Sequence, residues 1–67
     1  MFKVGDLVVL NRLGIIKYST WNGAVGLILK TLPGTFLGSE QEYYVMWWLT
    51  DGGAEKLVET EIDLKHV

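Results

Sequence analysis

The segment Glu42-Tyr43-Tyr44-Val45-Met46-Trp47-Trp48-Leu49 decides the fold of this chain. It has the length of one β-strand and contains four of the eight aromatic residues, which are three Trp, three Tyr and two Phe. Because side chains alternate between the two faces of a strand, every second residue shares a face. The two sets are Tyr43, Val45 and Trp47 on one face, and Tyr44, Met46 and Trp48 on the other. Both sets are apolar, so the segment predicts a central strand with one face in a small core and a second face that needs another cover.

The size of the chain limits what it can be. Its 67 residues predict one domain over residues 1–67. A chain this short buries only about 60% of its unfolded surface, so its stability is marginal without help. There is no cysteine for a disulfide or a thiolate site, and a lone histidine, His66, does not make a zinc centre. We therefore predict no metal and no cofactor, and burial against a partner remains as the source of extra stability.

Hydropathy and charge exclude several classes of protein. No apolar run approaches the roughly 18 residues of a membrane span, and residues 1–6 show no signal-peptide pattern. The absence of cysteine suits a reducing compartment. The net charge of −2 argues against generic nucleic-acid binding. We expect a soluble cytoplasmic protein.

Turn residues divide the chain into short strands. The predicted strands are Leu7–Leu10, Ala24–Lys30, Glu42–Leu49, Ala54–Val58 and Leu64–Val67. Asn11–Gly14 is predicted as a turn, Ile15–Tyr18 as a short strand or extended arm, and Thr50–Gly53 as a tight hairpin turn. Gly26 predicts a bulge, a bend or a close approach of another backbone, and Glu59–Asp63 predicts one helical turn. Five short strands, two long loops and a helical turn before the last strand predict an all-β, five-stranded SH3-like barrel.

Four parts of the chain resemble the small SH3-like proteins encoded by tailed bacteriophages, above all those of cyanobacterial and marine phages. These parts are Phe2–Val8, Gly23–Ile28, Tyr43–Trp47 and the acidic stretch that ends in Leu64 and Val67. KOW and Tudor-like domains, and the small SH3-like subunit at the stromal face of photosystem I, follow a similar plan. The resemblance implies the fold rather than a function. Because some SH3-like modules are virion parts, it also implies a location in the virion or the host cytoplasm.

The second apolar face predicts a protein interface. Its residues are Leu7, Val9, Leu27, Leu29, Tyr44, Met46 and Trp48. A contiguous exposed apolar patch tends to mark a binding surface, and aromatic and Met side chains are enriched at interface cores. We interpret it as a contact within a homo-oligomer or a larger assembly. In the alternative interpretation, residues 11–23 and 31–41 fold over this face, with Trp21, Phe36 and Leu37 as lids.

Three other features have a plain structural interpretation beside a functional one. Tyr18 and Trp21 are possible loop contacts for a Pro-rich or methylated ligand, but a lid over the end of the barrel or a contact in an assembly is favoured. Four scattered cations suggest a phosphate-binding edge only weakly, and a solvated surface is favoured; they are Lys3, Arg12, Lys17 and Lys30. The acidic run 55–63 either meets a basic partner or, as we favour, keeps the C-terminal edge soluble.

Catalytic motifs are missing from the sequence. There is no Ser-His-Asp set, no cluster of metal ligands and no phosphate loop. We predict that the chain is not an enzyme but a protein–protein interaction module, specifically a small phage virion or assembly protein. The alternatives are a KOW-type module bound to nucleic acid or the translation machinery, and a phage protein that binds and modulates a host protein.

Overall fold

A computed structural model describes residues 1–33 and 41–67, and these ranges form one antiparallel β-sheet. The elements, in chain order, are β1 Leu7–Leu10, α1 Arg12–Lys17, β2 Val25–Leu32, β3 Glu42–Trp48, β4 Ala54–Thr60 and β5 Leu64–His66. Single 3-10 turns at Ser19–Trp21 and Glu61–Asp63 precede β2 and β5. The strand order is β4-β3-β2-β1-β5, so β4 and β5 lie at the two edges of the described sheet. The all-β prediction is confirmed, as is a helical turn before the last strand.

The tight turn between β3 and β4 is confirmed. The Leu49 N–H donates to the Gly53 carbonyl over 2.8 Å, and the Gly52 N–H donates to the Leu49 carbonyl over 3.0 Å. Gly52 has a φ of 94°, which side chains disfavour, and the Asp51 side chain accepts from the Gly53 N–H. The turn aligns β3 and β4 over their whole length, from Trp48 opposite Ala54 to Glu42 opposite Thr60. As a result β4 runs two residues further than predicted, and the helical turn starts at Glu61 rather than Glu59.

The prediction of a turn followed by a strand over residues 11–18 is wrong. Residues Arg12–Lys17 form the helix α1, and the Asn11 side chain caps it by accepting from the Gly14 N–H at 3.1 Å. The Asn11 amide also donates to the Ile62 carbonyl over 2.6 Å, which ties the helix to the second 3-10 turn. Six residues are too few to show a helical period in the sequence, so only the cap residue carried a local signal.

The core lies on one side of the sheet. Tyr43, Val45 and Trp47 are completely buried, so these alternate residues of β3 point toward the core. The other buried apolar residues are Phe2, Val8, Leu10, Ala24, Ile28 and Leu64, with Ile15, Trp21, Leu49 and Leu57 packed around them. The Tyr43 hydroxyl accepts from the Phe2 N–H and donates to the Glu61 carboxylate over 2.6 Å. Burial, with the Glu61 hydrogen bond second, raises the pKa of Tyr43.

Gly26 makes room for side chains of β3. A Cβ at this position would lie 2.7 Å from a Val45 methyl carbon and 2.9 Å from the Trp47 ring. The irregularity of β2 lies three residues later, where Ile28 pairs with Val45 but Lys30 pairs with Tyr44. Leu29 is therefore the extra residue of a β-bulge. The predicted close approach of another backbone is therefore not what Gly26 accommodates, since its nearest neighbours are side-chain atoms, and the predicted bulge lies at Leu29 instead.

Candidate functional site

The seven residues predicted as an interface share the side of the sheet away from the core. Across the strands, Leu7 is paired with Leu27, and Leu27 with Met46. Val25 is paired with Trp48, and Tyr44 with Val58. Paired residues on one face of a sheet have Cβ atoms about 5 Å apart, so these side chains are neighbours. We call the set the outer apolar face; its members are Leu7, Val9, Val25, Leu27, Leu29, Tyr44, Met46, Trp48 and Val58.

Val25 and Val58 were missed by the sequence prediction. Each lies opposite a predicted member, Val25 opposite Trp48 and Val58 opposite Tyr44. Their strands had been recognised, and counting two residues back from Leu27 would have found Val25. Val58 requires the hairpin register, which depends on the turn at 49–53 and is not visible in the β4 pattern alone.

The outer apolar face is accessible to solvent. Leu7 is 50% exposed, Trp48 47% and Val58 48%. The remaining members are partly exposed. Large apolar side chains are usually kept from water, so a group of neighbours with this exposure is informative where single exposed residues are not.

The aromatic loop residues belong to the core side. The Trp21 ring lies 5.9 Å from the Trp47 ring, nearly edge to face, and 5.9 Å from the Tyr18 ring. Trp21 therefore packs on the buried side of β3 and does not lie over the outer apolar face. Phe36 and Leu37, the other predicted loop contacts, lie outside the described residues.

Two acidic residues of the run 55–63 are buried, contrary to the prediction of a solvated edge. Glu59 is 2% exposed and Asp63 3% exposed. The Trp47 indole N–H donates to a Glu59 carboxylate oxygen over 3.0 Å. Burial and the nearby Asp63 charge raise the pKa of Glu59, against the opposing effect of the Trp47 hydrogen bond. Glu59 lies opposite Tyr43, an inward residue of β3, so the β4 register carries it into the core.

Asp63 joins α1 to the second 3-10 turn. The Lys17 ammonium lies 3.0 Å from an Asp63 carboxylate oxygen, and the Thr60 hydroxyl donates to the same oxygen over 3.1 Å. The other carboxylate oxygen of Asp63 is buried without a hydrogen-bond partner among the described residues. Such a carboxylate, next to a second buried carboxyl, is costly in an apolar environment. The cluster is a packed part of the core with one cation at its rim.

Glu59→Gln is expected to raise the free energy of unfolding at neutral pH. The amide keeps an acceptor for the Trp47 indole and removes a buried charge beside Asp63. In the wild type, the folded chain holds the Glu59 proton more tightly than the unfolded chain does, because the pKa is raised in the folded state. The stability that this gives is complete below pH 4.5, the ordinary pKa of Glu, and is lost as pH rises through the folded-state pKa. Urea unfolding between about pH 5 and pH 8 measures this dependence. The substitution should flatten it, and an unchanged slope would contradict the assignment.

Side chains that could hold a metal ion do not cluster within residues 1–33 and 41–67. No three His, Asp or Glu side chains of these ranges come together as ligands, and the ranges enclose no pocket. None of the described helices is long and apolar enough to cross a membrane. The four cations considered for a phosphate-binding edge are spread over the N-terminal segment, α1 and β2, and Lys17 is bound to Asp63.

Comparison of the chain with protein families, with curated proteins and with solved structures found no match. The outer apolar face is therefore interpreted from its own geometry and chemistry.

Proposed function

We propose that this chain is a non-enzymatic protein–protein interaction module that docks through the outer apolar face. The observation that carries the proposal is the row Leu7, Leu27 and Met46 across three adjacent strands, beside the half-exposed Trp48. A sheet that buries one face normally turns polar residues to water on the other. Here both faces are apolar, and within residues 1–33 and 41–67 the core covers one of them.

Association through this face has a physical reason. Burying apolar surface contributes about 25 cal/mol per Å², so several large side chains offer several kcal/mol before the costs of association are subtracted. A domain of this size has little stability of its own. A partner that covers the face therefore contributes to the stability of the domain as well as to assembly.

The proposed setting is a small phage virion or assembly protein with an SH3-like barrel. The strand order β4-β3-β2-β1-β5 and the 3-10 turn before β5 support that barrel plan. The resemblance of the segments around Val4, Gly26 and Val45 to small phage proteins supports the setting. A phage protein that modulates a host protein would use the same face in the same way, and the two differ only in the partner.

The substitution Met46→Lys together with Trp48→Glu is expected to abolish assembly while the domain stays folded. Both side chains lie on the outer apolar face, so charges there disrupt docking without entering the core. Two measurements distinguish the kinds of assembly. The molar mass of the purified chain by light scattering over a concentration series reports self-association, and pull-down of virion and host proteins by the immobilised chain reports association with a different protein. Circular dichroism reports whether the fold is retained.

The matched control is Leu13→Lys together with Ile16→Glu on α1. These residues are 49% and 73% exposed, so the control makes the same chemical change on apolar residues away from the outer apolar face. It should leave assembly intact. Assembly that survives the change at Met46 and Trp48, or that both pairs of substitutions weaken equally, would refute the proposal.

A further inference from the structure

The charges around the outer apolar face have the opposite sign to the charge of the chain. The strand pairing places Lys30 beside Tyr44, Lys56 beside Met46 and Lys65 beside Val9. The one acidic residue that the pairing places on this side is Glu42, beside Leu32. With three lysines and one glutamate, this side of the sheet has a formal net charge of +2.

The rest of the described chain is acidic. It contains six acidic and three basic residues, which gives a formal charge of −3. The acidic residues are Asp6, Asp51, Glu55, Glu59, Glu61 and Asp63, and the basic residues are Lys3, Arg12 and Lys17. The positive charge therefore gathers around the apolar residues although the whole chain carries −2.

The three lysines are available to a partner. Lys30, Lys56 and Lys65 are exposed, and within the described residues none of their side-chain ammonium groups forms a salt bridge or a hydrogen bond. Lysine on an edge strand also discourages pairing with other sheets, which is a sufficient explanation for Lys56 on β4 and Lys65 on β5. It does not explain Lys30, which lies on the interior strand β2 beside Tyr44.

We propose that the outer apolar face takes a partner protein whose surface has an apolar centre and an acidic rim, and not a second copy of this chain. The inference rests on the proposed function and names the chemistry of the partner. Two copies docked face to face would bring like charges of +2 together, whereas carboxylates would complement Lys30, Lys56 and Lys65. The sequence predicted either a homo-oligomer or a contact in a larger assembly, and this partner fits the second. The choice depends on the hairpin and edge registers that collect the lysines, which are properties of the fold.

An anionic membrane is a poorer match than an acidic protein. The lysine side of the domain would be attracted to acidic lipids, but recognition of an anionic membrane usually takes a cluster of about four to eight basic residues. Strand pairing places three lysines and one glutamate on this side. A protein with a local acidic rim contacts only the positive side.

The test uses two synthetic amphipathic peptides with identical apolar positions, one with Glu and one with Lys at every polar position. Labelled peptide is titrated with the full chain, and fluorescence anisotropy gives each Kd. The acidic peptide is expected to bind about tenfold tighter at about 50 mM salt, and the preference should shrink at about 500 mM because the contacts are screened. Lys30→Glu with Lys56→Glu should reverse the preference. Lys3→Glu with Arg12→Glu makes an equal charge change away from this face and should preserve it.

Each outcome separates this inference from the proposed function. Equal binding of both peptides, abolished by Met46→Lys with Trp48→Glu, would overturn the acidic rim and leave the docking face in place. Binding that this double substitution does not change would overturn the docking face itself. Three further outcomes would overturn the inference. The acidic peptide could fail to bind, or the free chain could form a dimer that Met46→Lys with Trp48→Glu abolishes. The third is lysine-dependent binding to phosphatidylglycerol vesicles without peptide binding.

Discussion

Trp47→Ala is expected to leave the chain largely unfolded at room temperature. The side chain is completely buried, lies against Trp21 and fills the space opposite Gly26. Truncating a buried Trp to Ala costs about 3–5 kcal/mol, and a domain this small has a free energy of unfolding of about 5 kcal/mol. The change also removes the indole N–H that donates to the buried Glu59 carboxyl.

Urea unfolding followed by circular dichroism measures this loss, and two further substitutions on β3 calibrate it. Trp47→Phe keeps much of the ring but not the donor, so an intermediate loss is expected. Trp48→Ala removes the same kind of side chain from a position that is 47% exposed, and its cost should be much smaller. If Trp47→Ala and Trp48→Ala lowered the free energy of unfolding equally, the assignment of Trp47 to the buried face of β3 would be wrong.

Trp47 also matters to the proposed docking face. Met46 and Trp48 are its neighbours on β3 and point to the opposite side of the sheet. A variant at Trp47 would lose partner binding because the sheet is lost, whereas the outer-face substitutions should lose binding with the sheet intact. The difference between the two results separates a residue that supports the fold from residues that meet the partner.

Gly14→Ala is expected to lower the free energy of unfolding by about 1–3 kcal/mol, the usual cost of overpacking a core. In an exposed helix the same change stabilises by about 1 kcal/mol, because Gly is a poor helix former. Here a Cβ would lie 2.5 Å from the Asp63 carbonyl oxygen and 2.8 Å from a Leu10 methyl carbon. To relieve the contact, α1 must move away from the second 3-10 turn, which strains the salt bridge from Lys17 to Asp63.

The control for Gly14→Ala is Ile16→Ala on the same helix. Ile16 is 73% exposed, so this change alters helix propensity with little loss of packing and should shift stability by less than about 0.5 kcal/mol. Thermal or urea unfolding measures both variants. A Gly14→Ala variant that is more stable than the wild type would show that α1 does not pack against Asp63 as described.

Local patterns predicted those parts of the fold that depend on neighbours in sequence. Leu7–Leu10 is a strand with the predicted bounds, and the β3–β4 turn follows from Asp51 and Gly52. Helix α1 was missed because its six residues pack on distant Asp63 and show no period of their own. The burial of Glu59 was missed for a related reason, since the hairpin register, and not the residue type, puts it beside Trp47.

Seven of the nine members of the outer apolar face were predicted from the sequence, but the charge around that face was not. Alternation alone grouped Tyr44, Met46 and Trp48, since the period of two along a strand does not depend on the rest of the fold. The lysines around them come from β2, β4 and β5, where the bulge at Leu29 and the strand registers decide which residue is a neighbour. No sequence pattern relates Lys65 to Val9, which are 56 positions apart by their numbers.

The sequence by itself determined that β3 has two apolar faces, and the length of 67 residues implied a small core on one of them. It did not determine which face is buried, because the two sets on β3 are nearly equal in size and hydrophobicity. The tertiary structure decided that choice through contacts between strands. Gly26 leaves space for the Trp47 ring, Trp21 covers the same side, and Glu59 accepts its indole N–H. With Trp47 turned inward, alternation leaves Met46 and Trp48 on the outer apolar face.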